Sequence, residues 1–442
     1  MSELVVGVDL GMSGARACVL DERGARLGSA HTVRQPADGH GTVDRWLGDI
    51  GGAVGAAWSE ATGRSAAGHA RPAALSLGAF GSLPVLLDDG LRPVWTGSLL
   101  SSAGPVHQVE AALTSGRAPA TSAWQVDATG AVVTLLVGRP IMDRLTADDH
   151  RGHVVAVPAP EEPSAIAGAV TTSAASTIGV ATGTPVLVGT YDSFVDLRAA
   201  GVDGVGDAGV VAGSTLVLGV VVAGDGDVPP GLRSVQHLGA GRFVGGWTSA
   251  AGSALAWTAQ LLATDGTDLA SAAHRAGPGA GGLLALAHLH GERAPLWDDR
   301  ARGVLLGLTD RTRPVDVYRA FVDAVALSAA DLAARLRTIS GPVVRWRCTG
   351  GGLHDVALGP ALADALGAPL DVHDVGGGRG AALLALAAIG HRVESTPVRT
   401  IEPDAARHER LRRLDTIRGG LYEAVADRLH ALGALDDDGE AQ

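Results

Sequence analysis

The chain contains no lysine, so its 35 Lys-or-Arg positions are all arginine. That excludes a P-loop, whose lysine must reach the phosphates, and any nucleotide chemistry here has to work without one. Cysteine is nearly absent as well. Cys18 and Cys348 stand far apart in apolar contexts and read as buried free thiols of a reducing compartment, not as a disulfide framework or a metal site. There is no hydrophobic run long enough for a bilayer. The longest, Val210 to Gly224, is too short and is interrupted by Ser214 and Thr215. Nor is there a basic patch on a chain of formal net charge -12, which makes nucleic acid and anionic membranes poor partners. The opening "MSELVVGVD" has no basic region and meets an acid early, unlike a signal peptide, so a cytoplasmic setting is expected.

What is present is a globular composition, 46% hydrophobic and 19% charged, over 442 residues. That length is too great for one ordinary core, and two large domains are expected. The Gly-, Asp- and Pro-rich "GDGDVPPG" (Gly224 to Gly231) marks the boundary, giving domains at 1–225 and 226–430, with the acidic tail 431–442 disordered. The pattern predicts a hairpin over 4–10 and 15–21, a third strand over 26–33 and a helix over 44–63. From Ser101 to Val170 periodicity is weak. The segment Asp207 to Val222 repeats the opening design of strand, small-residue turn and strand, which suggests a duplicated architecture.

Three places carry chemistry. The first is the turn after Asp9, "GMSG", whose glycines leave backbone N–H groups free for a phosphate, with Arg16 on the returning strand adding charge. Asp9, at the strand end, suits Mg²⁺ held mostly through water. A plain hairpin with glycines chosen for positive φ explains the same residues. The second is the turn Gly213-Ser214-Thr215, so that two turns, one per domain, could clamp a polyphosphate. The third is Asp192, ending the apolar strand "VLVGTYD", where ligands bind in α/β folds; it could take a proton from an attacking hydroxyl, or simply cap a helix. Asp196 competes for that role but is expected to face solvent or pair with Arg198. Gly350-Gly351-Gly352 ends a strand and lets a flat ligand lie on bare backbone. "DVGGGRGAALLA" has a superficial dinucleotide fingerprint at Gly376, Gly378 and Ala381. No histidine stands in a recognisable metal-ligand spacing.

The segments "VGVDLGMSGARA", "GTPVLVGTYDSFVDLRAAGV", "GVVAGSTLVLG", "HGERAPLWDDRARGVLLGLT" and "TGGGLHDVALGPALADALGAP" resemble, in order, the signatures of the FGGY carbohydrate kinases, which belong with hexokinase to the actin-like ATPase superfamily. The resemblance implies an α/β fold of two ribonuclease-H-like domains with an interdomain cleft, sugar mainly on the first and ATP mainly on the second. It implies Asp192 as the general base. It implies a nucleotide site of Asp9, Gly11, Met12, Ser13, Arg16, Gly213, Ser214, Thr215, Gly350, Gly351 and Gly352, with Mg²⁺ between ATP and Asp9. Departures accompany it. Met12 stands where the family usually has Thr, "AFGS" (Ala79 to Ser82) replaces a Gln-containing pair, and "WTGSLLSSAGP" lacks the usual acid and arginine of the sugar segment. Ser82, Trp95 and Trp124 are the candidate sugar contacts. The expected activity is ATP-dependent phosphorylation of a sugar, polyol or sugar-like alcohol, with xylulose the default. The alternative is an impaired relative that binds nucleotide or sugar as a regulator. The expected partner is the small substrate, with a homodimer possible.

Overall fold

Alternating apolar residues around a short glycine turn produce the first hairpin. β1 (Val5–Gly11) and β2 (Gly14–Leu20) pair antiparallel, with Asp9 opposite Arg16 and Gly11 opposite Gly14. β3 (Arg26–Val33) continues the antiparallel sheet beyond β2, and β4 (Ala74–Ala79) lies parallel to β1 on its other side. The computed structural model describes residues 3–34, 42–63, 70–81, 83–98, 104–150 and 155–440.

The chain divides into two units. The first comprises Met1–Gly201, Val235–Gly239 and Asp374–Thr396, the second Val202–Ser234, Ala240–His373 and Pro397–Gln442. In the first unit the sheet runs β3, β2, β1, β4, then Pro185–Leu187 and Ile166–Ala169, with the short strand Thr190–Tyr191 also on β4. Successive side chains of a strand point to opposite faces, and β1 uses both. Val6, Val8 and Leu10 pack with helix α1 (Val43–Thr62) through Val43, Trp46, Ile50, Ala53, Val54 and Ala57. Val5, with Cys18 and Leu20, packs with helix Arg379–Ala388. α1 starts at Thr42, whose hydroxyl accepts the Arg45 N–H, and ends at left-handed Gly63.

In the second unit, five neighbouring strands run Arg242–Trp247, Leu216–Val222, Ala208–Ala212, Trp346–Thr349 and Leu370–Val372. The first three are antiparallel and the last two join in parallel. Each unit therefore contains three strands in an antiparallel meander, with a later strand lying parallel beside the first of them. This is the α/β, ribonuclease-H-like arrangement, present twice. The 27-residue helix Pro314–Ser340 lies in the second core and buries an Arg319–Asp323 ion pair of 2.6 Å along with Tyr318, Phe321, Val325 and Leu332.

Several expectations change. The chain passes to the second unit at Gly201/Val202, and "GDGDVPPG" lies inside that unit. Asp374–Thr396 returns to the first unit because its helix covers β1, and Val235–Gly239 returns because Arg144 bonds Gln236 Oε1 and the His237 carbonyl, each at 2.9 Å. The tail is not disordered from 431: helix Leu421–Glu440 runs through it, and 441–442 fall outside the described residues. The weak periodicity over 101–170 hides helix Ala128–Val137, which is buried almost all round and so has no polar stripe. Both cysteines are buried and free. Among the described residues no helix is long and apolar enough to cross a membrane.

A Cβ on Gly7 would lie 2.1 Å from the Ala382 N and the Gly378 O, both backbone atoms of the helix that covers β1. No rotamer change relieves such an overlap. Gly7→Ala should destabilise the first unit by about 2 kcal/mol or more, seen as a lower urea midpoint; an unchanged midpoint would remove this helix from the β1 face.

Candidate functional site

Asp9 lies on β1 two residues beyond Gly7 and so faces the side of the sheet that carries helix Arg379–Ala388. β4 sits between β1 and strand Thr190–Tyr191, with Gly78 level with both Asp9 and Thr190. All three strands are parallel, so their C-terminal ends share one edge. Asp192 follows directly, as the first residue of helix Asp192–Ala199. It is not the helix cap, which is Tyr191; instead its Oδ1 accepts its neighbour's N–H, from Ser193, at 2.6 Å. A Cβ on Gly78 would meet the Asp192 Cα at 3.0 Å, so the glycine lets this helix start close to β4.

Arg16, across the hairpin, points its Nη1 at Asp9 Oδ2 from 3.4 Å and its Nη2 at Ser13 Oγ from 3.5 Å. Burial raises the Asp9 carboxyl above its usual range, opposed by Arg16 and His31. Asp192 is pushed up to about 7, chiefly by burial and then by the Asp9 charge, with the Ser193 N–H and Arg16 opposing. Asp196 corrects the expectation made for it. It neither faces bulk solvent nor owes its environment to Arg198: its carboxylate lies against helix Arg379–Ala388, where a Cβ on Gly380 would come within 2.4 Å of Oδ1. Burial, then the Asp9 and Asp192 charges, raise its proton affinity well above normal. The i, i+4 spacing that puts Asp196 on the Asp192 face was legible, but the neighbouring helix that buries it comes from the far end of the chain.

The glycines of "DVGGGRG" are explained by the same packing. Gly377 and Gly378 are left-handed, and a Cβ on Gly378 would strike the Gly7 carbonyl at 2.6 Å. They bring a helix onto β1, which accounts for them without a dinucleotide.

Gly213-Ser214-Thr215 forms the turn between Ala208–Ala212 and Leu216–Val222 in the second unit, closed by the Gly213 N–H to the Thr215 carbonyl at 2.9 Å. Gly350 has φ +111 and no room for a side chain, since its Cβ would lie 2.3 Å from the Ala212 carbonyl. Gly352 is close to the same carbonyl. The structure thus brings the turn and the triple glycine together. The tryptophans are not brought together. Trp95 pairs with Leu86 and packs in its small cluster with Val109 and Ala112, whereas Trp124 pairs with Leu87 and packs in the main core, on the opposite face of a three-stranded sheet. Ser82 lies outside the described residues. Among the described residues no group of three or more His, Cys, Asp or Glu side chains is placed to hold a metal.

Two supports escaped sequence reasoning. Arg34, with a side chain 0% exposed, bonds the carbonyls of the first turn and the Asp49 carboxylate. Thr190, two residues before Asp192, is held on two sides: its carbonyl accepts the Thr129 hydroxyl at 3.0 Å and its hydroxyl donates to Asp143 at 3.0 Å. Asp143 shares its surroundings with Asp127, the cap of helix Ala128–Val137. No local motif marks either group, because their partners are remote in sequence.

Residues 228–389 match the model of the FGGY family of carbohydrate kinases, C-terminal domain. A ribulokinase of Shouchella clausii is 31% identical over 234 residues, 48% of this chain and 40% of that protein. A gluconokinase of Bacillus subtilis is 38% identical over 96 residues, 21% of this chain and 19% of that protein. The chain thus spans less than half the length of the curated relatives it matches. Among solved structures, the xylulose kinase of Rhodospirillum rubrum superposes with a TM-score of 0.76 at 23% identity, covering 97% of this chain and 100% of that one. The ligand-bound xylulose kinase of Lactobacillus acidophilus gives 0.80 at 15% identity, covering 96% and 98%. These two show a shared fold.

The buried acids give a pH dependence of stability with a definite sign. Asp127 is raised to about 8 by burial and by Asp143, and Asp143 to about 6 by burial. An unfolded carboxyl loses its proton near pH ~4, so between there and these values the folded state holds more protons than the unfolded one. The contribution of these two acids to stability should therefore fall as pH rises from 5 to 8. Asp127→Asn should flatten that slope in urea unfolding followed across pH; an unchanged slope would place the proton elsewhere.

Proposed function

We propose that this chain, whose residues 228–389 match the C-terminal domain of the FGGY family of carbohydrate kinases, is a member of that family and transfers the γ-phosphoryl group of ATP to a hydroxyl of a small sugar, polyol or related alcohol. The observation that carries this reading is Asp192: a carboxylate at the shared C-terminal edge of parallel strands, beside the Asp9–Arg16 hairpin, with its proton affinity lifted to about 7. A base with that affinity is half ionised at neutral pH and accepts a proton readily once the hydroxyl begins to attack. Asp192 takes the hydroxyl proton, the oxygen forms its bond to the γ-phosphorus in line, and the bond to the β-phosphate oxygen breaks to release ADP.

In the first unit the amides of Gly11 to Ser13 and the Arg16 guanidinium are the groups for phosphate oxygens. In the second unit the Ser214 and Thr215 hydroxyls serve the same end, and the bare backbone of Gly350 to Gly352 admits adenosine. Asp9 fits Mg²⁺ because a strand-end carboxylate can be the protein share of a site completed by water and phosphate. Bound there, the ion would neutralise charge on the phosphates. The lack of the usual acid and arginine in "WTGSLLSSAGP" supports including a deoxy sugar or a cyclitol among the acceptors, beside the ketoses. The free buried thiols support a cytoplasmic setting.

The test is ADP release from Mg-ATP over a panel of ketoses, aldonates, polyols, deoxy sugars and cyclitols. Asp192→Asn should cut turnover by about a thousandfold or more and leave ATP affinity in place. For the wild type, log kcat/KM should rise with pH below about 7 and level above it, since the base must be ionised. Nucleotide binding without turnover on any acceptor would instead favour a regulator that has kept the site and lost the reaction.

A further inference from the structure

The Gly11–Gly14 turn is not free-standing. The Arg34 N–H donates to the Ser13 carbonyl at 2.7 Å, and its Nη1 to the Met12 carbonyl at 3.2 Å and, at the limit, the Gly11 carbonyl at 3.5 Å. Three consecutive carbonyls thus turn toward one residue. The guanidinium is itself fixed, since Nε and Nη2 reach Asp49 Oδ2 on α1 at 3.1 and 2.6 Å, and its side chain is fully buried. Both peptide bonds in question are trans, and in a trans peptide the N–H points opposite to the C=O. Drawing the Gly11 and Met12 carbonyls onto Arg34 therefore turns the Met12 and Ser13 N–H groups away from it. Among the described residues no protein acceptor is recorded for either of them.

We propose that Arg34, held by Asp49, is a positioning residue that fixes this turn with its Met12 and Ser13 amides outward as a cradle for a nucleotide phosphate; this rests on the kinase reading above. The arginine works from behind the turn and touches no ligand. A neutral side chain in its place would leave the carbonyls free to rotate, and the amides with them. Lysine would offer one donor centre where the structure uses a fork to join Asp49 and the turn at once. Preorganised N–H groups bind an anion without the cost of ordering the loop at the moment of binding.

The full-length chain is titrated calorimetrically with a magnesium-bound non-hydrolysable ATP analogue and, separately, with adenosine, which carries no phosphate. Arg34→Gln should weaken the analogue about tenfold, the effect of losing a charge-assisted support, and leave adenosine unchanged. Arg34→Lys should fall between Gln and wild type, and KM for ATP should rise more than kcat falls. Equal analogue affinity in a folded Arg34→Gln protein overturns the proposal, as does an equal loss for both ligands, which would signal a general disturbance. If Arg34→Gln does not fold, Asp49→Asn decides by the same two titrations, with a smaller loss in the same direction expected. A wild-type chain that binds adenosine but gains nothing from the phosphates sinks the kinase reading itself, a result distinct from loss in the variants alone.

Discussion

The candidate site depends on the register of β1 against β4. Asp9 and Gly78 are level, and the pleat then sends Val6, Val8 and Leu10 to α1 and Val5, Gly7 and Asp9 to the other face. A slip of one residue would put Asp9 into the apolar layer under α1 and expose the leucine and valines to the acids. Burial of the apolar row is what holds the carboxylate in place. Gly7 then permits a second layer, helix Arg379–Ala388, at a distance no side chain would allow.

That second layer explains the electrostatics. Asp9, Asp192 and Asp196 approach one another on a face closed by helix Arg379–Ala388, with Arg16 opposing their charge. Crowded, half-buried acids cost stability, and each is left with a raised proton affinity. Sites whose groups are strained in this way are more often places of chemistry than of packing. The apolar cores on either side of the first sheet, and the bonds that fix Thr190 and the Gly11–Gly14 turn, supply the rigidity that such crowding requires.

The same strand order occurs in both units, yet the two hairpin turns are supported differently. The first is braced from behind by a buried arginine, whereas the second is met by the start of helix Gly252–Leu261: the Gly252 N–H donates to the Gly213 carbonyl at 3.0 Å, and the Ser253 hydroxyl to the Ser214 carbonyl at 2.8 Å. In each case the carbonyls of a short turn are satisfied by protein donors. A duplicated backbone has thus reached one end by unrelated side chains.

The hairpins, the placing of Asp9 and Arg16 on the two strands of the first, the strand-end position of Asp192 and the duplicated plan were legible in the sequence, because each rests on local periodicity and turn residues a few positions apart. Only the tertiary structure decided which unit owns Asp374–Thr396, that Asp196 faces inward, that Asp192 follows the helix cap, and that Trp95 and Trp124 lie on opposite faces of their sheet. The reason is the range of the contacts. Alternation and capping act over one turn or one hairpin, so the chain displays them in order. The burial of an acid, or the bracing of a loop by Arg34 and Asp49, depends on which distant segment arrives to cover it, and nothing in the local pattern announces that arrival.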